Sequence, residues 1–188
     1  MPYSGSAIGE TNDGLHVSEI LVSSNNENYG GTDWNCDGTF GSNSDQFIEL
    51  YNPTSSSIDI TGWSLEFQGV EFTDSFSISS GTTVAEGSRI VFFRTSTGIA
   101  FDYFGGGSVR LIDSSGNSIS SLSIEGEDSE WDTSYVSDSS GVVTKVSPPT
   151  PGWGPGEDTP STGPGAPCPE PVGVSHTGSY VLSGTIVT

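Results

Sequence analysis

The 188 residues read as an all-β sandwich followed by a Pro/Gly-rich C-terminal arm and a terminal β-strand. Helix signals are nearly absent: no long stretch places apolar residues at i, i+3, i+4 and i+7 without interruption by Gly, Pro or Ser-Thr runs. Short alternating runs dominate instead, at 15–23, 46–52, 57–67, 70–78, 88–94, 108–113, 117–124 and 142–146. Each carries β-branched or aromatic residues and stops at Gly, Asn, Asp, Ser or Pro, and seven to eight such strands at this spacing make a sandwich.

The run 46–52 closes at Asn52-Pro53, because Pro cannot continue a ladder and biases its predecessor to extended backbone. In 57–67, Trp63, Leu65 and Phe67 alternate with Ser64 and Glu66, so one face turns inward. Gly62 supplies the bend that drops Trp63 onto the core. Val109 and Leu111 flank Arg110 in the same way, and Asp113-Ser114-Ser115-Gly116-Asn117 has hairpin-turn chemistry between two apolar runs. At 147–171 Pro and Gly together remove both helix and sheet as options. Beyond this arm, GSYVLSGTIVT has strand character without a nearby partner; such a strand must pair with its own sandwich or with a neighbouring chain. The chain divides into an N-terminal extension (1–13), the sandwich (14–147), the Pro/Gly-rich arm (148–171) and a C-terminal strand segment (172–188).

Four Lys+Arg stand against twenty-four Asp+Glu, a formal charge of −20. That balance leaves little with which to neutralise phosphates and argues against nucleic-acid binding. No apolar run is long enough for a membrane-spanning helix, and the opening MPYSGSAIGETNDG lacks the apolar stretch of a signal peptide. Acidity with so little Lys suits a hydrated, secreted surface or one that works with divalent cations.

Three ordered motifs resemble the lamin-tail domain (LTD), of the secreted bacterial and archaeal kind. DQFIELYNPTSSSIDITGWSLEF at 45–67 is similar to the family's strand–turn–strand signature, GTTVAEGSRIVFF at 81–93 to its Gly turn before a hydrophobic strand, and SVRLIDSSGNSI at 108–119 follows in the same order. PPTPG at 148–152 resembles the way such domains end. The resemblance covers about 14–152 and implies an immunoglobulin-like β-sandwich serving as an interaction or anchoring module, with no catalytic centre.

The sharpest chemical signal is DWNCDGTFGSNSD at 33–45. Asp33, Asn35 and Asp37 at alternate positions before Gly38 match the first half of a calcium loop, with the Thr39 carbonyl and Asp45 as further ligands. Position twelve is Ser44 and the closing carboxylate comes one residue late, so the geometry departs from an EF-hand. The alternative is an acidic turn that binds nothing. Glu27 and the group Glu125, Glu127, Asp128, Glu130 and Asp132 read as solvated acidic loops or lesser cation sites. Cys36 and Cys168 lack CxxC spacing and make either one disulfide, within or between chains, or two thiols. His16 and His176 lack any nucleophile context. Trp34, Trp131 and Trp153 lie in polar or Gly/Pro-flanked segments, where Trp34 and Trp131 in particular could stack on a sugar, whereas Trp63 belongs to the core.

The expectation is a non-enzymatic, extracellular or cell-surface structural protein. Its calcium-stabilised subunit would associate with copies of itself through the arm and an assembly strand bearing Tyr180, Leu182 and Ile186, as a filament or surface layer. The alternative is a non-catalytic accessory module that binds carbohydrate or a cell surface.

Overall fold

Apolar alternation sorts the strands into two antiparallel sheets. The computed structural model describes residues 14–25, 27–126, 130–152, 180–182 and 185–187, with Glu27 and the last two segments described by backbone alone. In chain order the elements are β1 (His16–Leu21), a 3-10 turn (Glu27–Tyr29), β2 (Phe47–Tyr51), β3 (Ile58–Asp59), β4 (Ser64–Gly69), β5 (Thr73–Ser77) and β6 (Thr83–Val84). There follow β7 (Arg89–Phe93), α1 (Arg94–Thr97), β8 (Gly107–Ile112), β9 (Ser118–Ile124), β10 (Ser134–Ser137), β11 (Val143–Val146), β12 (Tyr180–Leu182) and β13 (Thr185–Val187). A five-stranded sheet in the order β11-β10-β1-β2-β7 faces a four-stranded sheet in the order β5-β4-β8-β9, and β3 pairs with β6.

The core fills the space between the two sheets. Val17, Ile20, Ile48 and Leu50 from one meet Leu65, Phe67, Val109, Leu111 and Leu122 from the other, each burial contributing about 1.5–3 kcal/mol. The register of β1 shifts between Val17 and Glu19, and the Val17 N–H donates across the sandwich to Ser120 Oγ at 3.1 Å. Trp63 packs against this core as expected, after Gly62 in a left-handed conformation (φ 73°).

The structure differs from the sequence reading in four places. The run 57–67 is two strands, because the turn at Gly62 sends β3 to β6 and β4 into the four-stranded sheet. β10, sequence SYVS, was not legible as a strand: only two of its residues are apolar, yet it lies between β11 and β1. The segment 179–187 is not a single strand, since β12 and β13 pair with each other, Val181 opposite Ile186. Ser183-Gly184, a turn-forming dipeptide, divides them in sequence. Finally, Pro149, Thr150, Pro151 and Gly152, expected in the arm, are buried against the sandwich.

Both faces of β1 are covered, so each of its residues is buried. At one end of the outer face, Leu21, Phe47 and Phe93 form a second apolar cluster closed by Trp34 from the loop between β1 and β2. At the other end, residues 149–152 cross Glu19 and Glu49.

Candidate functional site

Glu19 and Glu49 are cross-strand partners on β1 and β2, and each is 1% exposed. Directly opposed like charges destabilise a sheet, so their burial demands partners. Thr150 supplies two: its N–H donates to Glu19 Oε1 at 2.7 Å and its hydroxyl to Oε2 at 2.6 Å. Ser134 on β10 donates its hydroxyl to Glu19 Oε1 at 2.6 Å. Glu49 accepts the Gly152 N–H at 2.7 Å and the Ser18 hydroxyl at 2.6 Å, and Arg89 Nε on β7 stands 3.1 Å from its Oε1. The Arg89 guanidinium also lies over the Tyr51 ring, 4.1 Å from its centroid, a cation–π contact.

Burial pushes the Glu49 carboxyl up to about 8, reinforced by the neighbouring Glu19 charge and opposed by Arg89 and the donors from Ser18 and Gly152. Burial likewise raises Glu19, against the donors from Ser134 and Thr150. A pocket of about 340 Å³ opens beside the pair, lined among others by His16, Tyr51, Arg89 and Asp138. His16 Nδ1 is 2.7 Å from the Gly14 carbonyl and so carries the ring proton; burial lowers the pKa of this imidazole, which stacks edge-on against Tyr51. This arrangement can hold a proton and a backbone segment.

The motifs at 45–67, 81–93 and 148–152 contain Glu49, Arg89 and Thr150 without giving them a role, and Glu19 lies outside all three. A signal was available: an acid inside each of two otherwise apolar-rich strand runs, HVSEIL and FIELY, together with an Arg opening a third.

The calcium-loop residues do gather in one turn, but each carboxylate is aimed at the loop's own donors. Asp33 accepts the N–H groups of Asp37 (3.2 Å) and Gly38 (2.7 Å), and Asp37 accepts that of Thr39 at 2.7 Å. Asn35 is buried and donates through Nδ2 to Asp37, the Ser44 carbonyl and Thr95. The Thr39 carbonyl accepts from the Ser44 hydroxyl at 3.0 Å. Asp45 accepts the Trp34 and Gly41 N–H groups, each at 2.8 Å, and burial pushes its carboxyl up to about 6 against the donors from Gly41, Ser44 and Asn35. Among the described residues, no three His, Cys, Asp or Glu side chains form a group that could hold a metal ion.

Cys36, exposed in this loop with φ 62°, is disulfide-bonded, and the chain has one other cysteine, Cys168, which lies outside the described residues. Trp153 and His176 also lie outside them, as do the side chains of Tyr180, Leu182 and Ile186.

Trp34 corrects the sequence reading. It is 3% exposed and donates Nε1–H to Asp132 Oδ1 at 3.2 Å, so its ring is packed and cannot stack on a ligand. Trp131 is 54% exposed and its ring stands 5.8 Å from Tyr103, which meets the exposed Phe104 edge-on at 4.8 Å. Asp132 is therefore a packing partner, and burial raises its pKa. Glu127 and Asp128 lie outside the described residues.

Two antiparallel sheets packed face to face, with the outer face of one covered by the Trp34 loop and by residues 149–152 (the strap), define an immunoglobulin-like β-sandwich domain. Residues 10–126, more than half of the chain, match the Lamin Tail Domain family, and the chain belongs to that family of immunoglobulin-like, non-catalytic domains. The match ends before β10, β11 and the strap, although these complete the five-stranded sheet. No curated protein matches the chain.

Proposed function

We propose that the chain is an extracellular, non-enzymatic structural domain that associates with copies of itself through its C-terminal arm and strands, as a filament or surface layer, with calcium reinforcing the 33–45 loop. Cys36 carries the extracellular part of this reading, because disulfides persist in oxidising compartments. A net charge of −20 keeps such a surface hydrated and is relieved by a divalent cation. Self-association is supported by the sheet edges at β7, β11, β5 and β9, whose backbone groups are templates for strand addition. A calcium ion in the loop would draw the Asp33 and Asp37 oxygens from the Gly38 and Thr39 amides.

Light scattering of the full chain in millimolar calcium, and again after chelation, tests this reading. The expected result is a mass several times the 19.5 kDa monomer that falls on chelation; a monomer under both conditions overturns it.

The Tyr103, Phe104 and Trp131 rings favour a second reading, a carbohydrate-binding accessory module in which sugar rings stack on this platform. A pull-down on neutral polysaccharides tests it: retention that disappears in Trp131→Ala supports it, and no retention on any polysaccharide removes it.

A further inference from the structure

The Glu19–Glu49 pair sets an electrostatic condition on the segment that covers it. Two opposed carboxylates are buried with one guanidinium, Arg89, 3.1 Å from Glu49, so full ionisation leaves an uncompensated negative charge. Among the described residues, the other titratable groups facing the pocket beside the pair offer no second cation. His16 gives its Nδ1 proton to Gly14 and is kept neutral by burial, Tyr51 lies beneath the guanidinium, and Asp138 is itself acidic. On β11, Thr144 lines the pocket, while Lys145 lies near the Tyr135 ring, 5.7 Å from its centroid. Residues 148–152 carry no titratable side chain. They are held to the pair through three donors, the Thr150 N–H and hydroxyl and the Gly152 N–H.

We propose that residues 149–152 form a proton-dependent strap, seated while the Glu19–Glu49 pair holds one proton and lifted when both carboxylates are ionised. The one-proton pair balances Arg89, and the strap's donors then complete a neutral network. Removing that proton sets two charges against each other across β1 and β2, and lifting the strap relieves them by giving water the carboxylate oxygens that Thr150 and Gly152 otherwise occupy. This device goes beyond the proposed function and requires neither calcium nor self-association.

Amide hydrogen exchange on the full chain tests it, with protection factors corrected for the intrinsic pH dependence between about pH 6 and about pH 9.5. Thr150 and Gly152 are expected to lose at least ~10-fold in protection, with a midpoint near the value of about 8 that burial imposes on Glu49, while core amides such as Leu65 and Val109 stay protected. Glu19→Gln removes one charge at constant shape and should keep the strap seated throughout. Flat protection at Thr150 and Gly152 in the parent chain, loss in step with the core amides, or an unchanged pH dependence in Glu19→Gln would each overturn the proposal. Should Glu19→Gln not fold, Thr150→Val takes its place. It removes one donor and no charge, so Gly152 protection should fall at every pH with the midpoint kept, and unchanged protection there counts against the strap.

Discussion

Trp34 and Trp131 carry the same ring in similarly polar sequence, yet one closes an apolar cluster and the other stands on the surface. The difference is measurable as stability. Trp34→Ala is expected to cost about 3–5 kcal/mol in urea unfolding, whereas Trp131→Ala should change stability by no more than about 0.5 kcal/mol. A cost below about 1 kcal/mol for Trp34→Ala would contradict its packing against Leu21, Phe47 and Phe93. Asn52 makes a different kind of contribution: buried after β2, it donates through Nδ2 to the carbonyls of Ser56, Val84 and Ala85. Asn52→Ala leaves those carbonyls without this donor and should cost about 2–3 kcal/mol, read as a lowered thermal midpoint. Glu49 adds a pH dependence. Its carboxyl is raised from 4.5 to about 8 on folding, so the folded state holds that proton more tightly than the unfolded chain. The resulting stabilisation is complete below 4.5 and is lost as pH rises through about 8, so the urea midpoint should fall between about pH 6 and about pH 9. Asp59, Asp113 and Asp138 are shifted the other way by hydrogen bonds from their own turns, and their contribution is lost only at acid pH. A urea midpoint that does not fall between about pH 6 and about pH 9 would show that Glu49 is ionised in the folded state.

At the scale of elements, β10 and the strap complete a sheet that the earlier strands leave open on one side. β10 pairs with β1 through Glu19 opposite Val136, and its Ser134 reaches Glu19. The strap then caps both carboxylates. A boundary at Ser147 therefore cuts through the fold. Chains ending at 152 and at 147 both lack Cys168, so their comparison isolates the strap from the disulfide. The shorter is expected to be less stable by about 3 kcal/mol or more, from three hydrogen bonds to carboxylates. Equal denaturation midpoints for the two would assign residues 148–152 to the arm after all.

For the molecule as a whole, the disulfide at Cys36 anchors the loop over the outer face. Pairing with Cys168 of the same chain closes a loop that spans most of the sequence, worth about 4–5 kcal/mol in the chain-entropy account. The untreated protein should run as a single monomer band on a non-reducing gel and lose thermal stability on reduction. A ladder that collapses with thiol would instead mean that the bond joins neighbouring chains. The tail bears on the same question. β12 and β13 pair with each other, and the Cα trace of β12 comes within 8 Å of β7 without joining its sheet.

The alternation of apolar residues by itself determined that this chain is all-β, that Trp63, Leu65 and Phe67 face a core, and that Asp113–Asn117 turns a hairpin; each depends on neighbours close in sequence. The order and spacing of the 45–67, 81–93 and 108–119 motifs also carried the family. Only the tertiary structure decided what covers the outer face of the five-stranded sheet. A period of two reports which side chains share a face and is silent on what lies across from it. Glu19 looks like a solvent-facing strand residue until Thr150, 131 positions away, arrives over it. The same limit separates Trp34 from Trp131 and hides β10, whose pairing partners are more than a hundred residues earlier in β1 and only a turn away in β11.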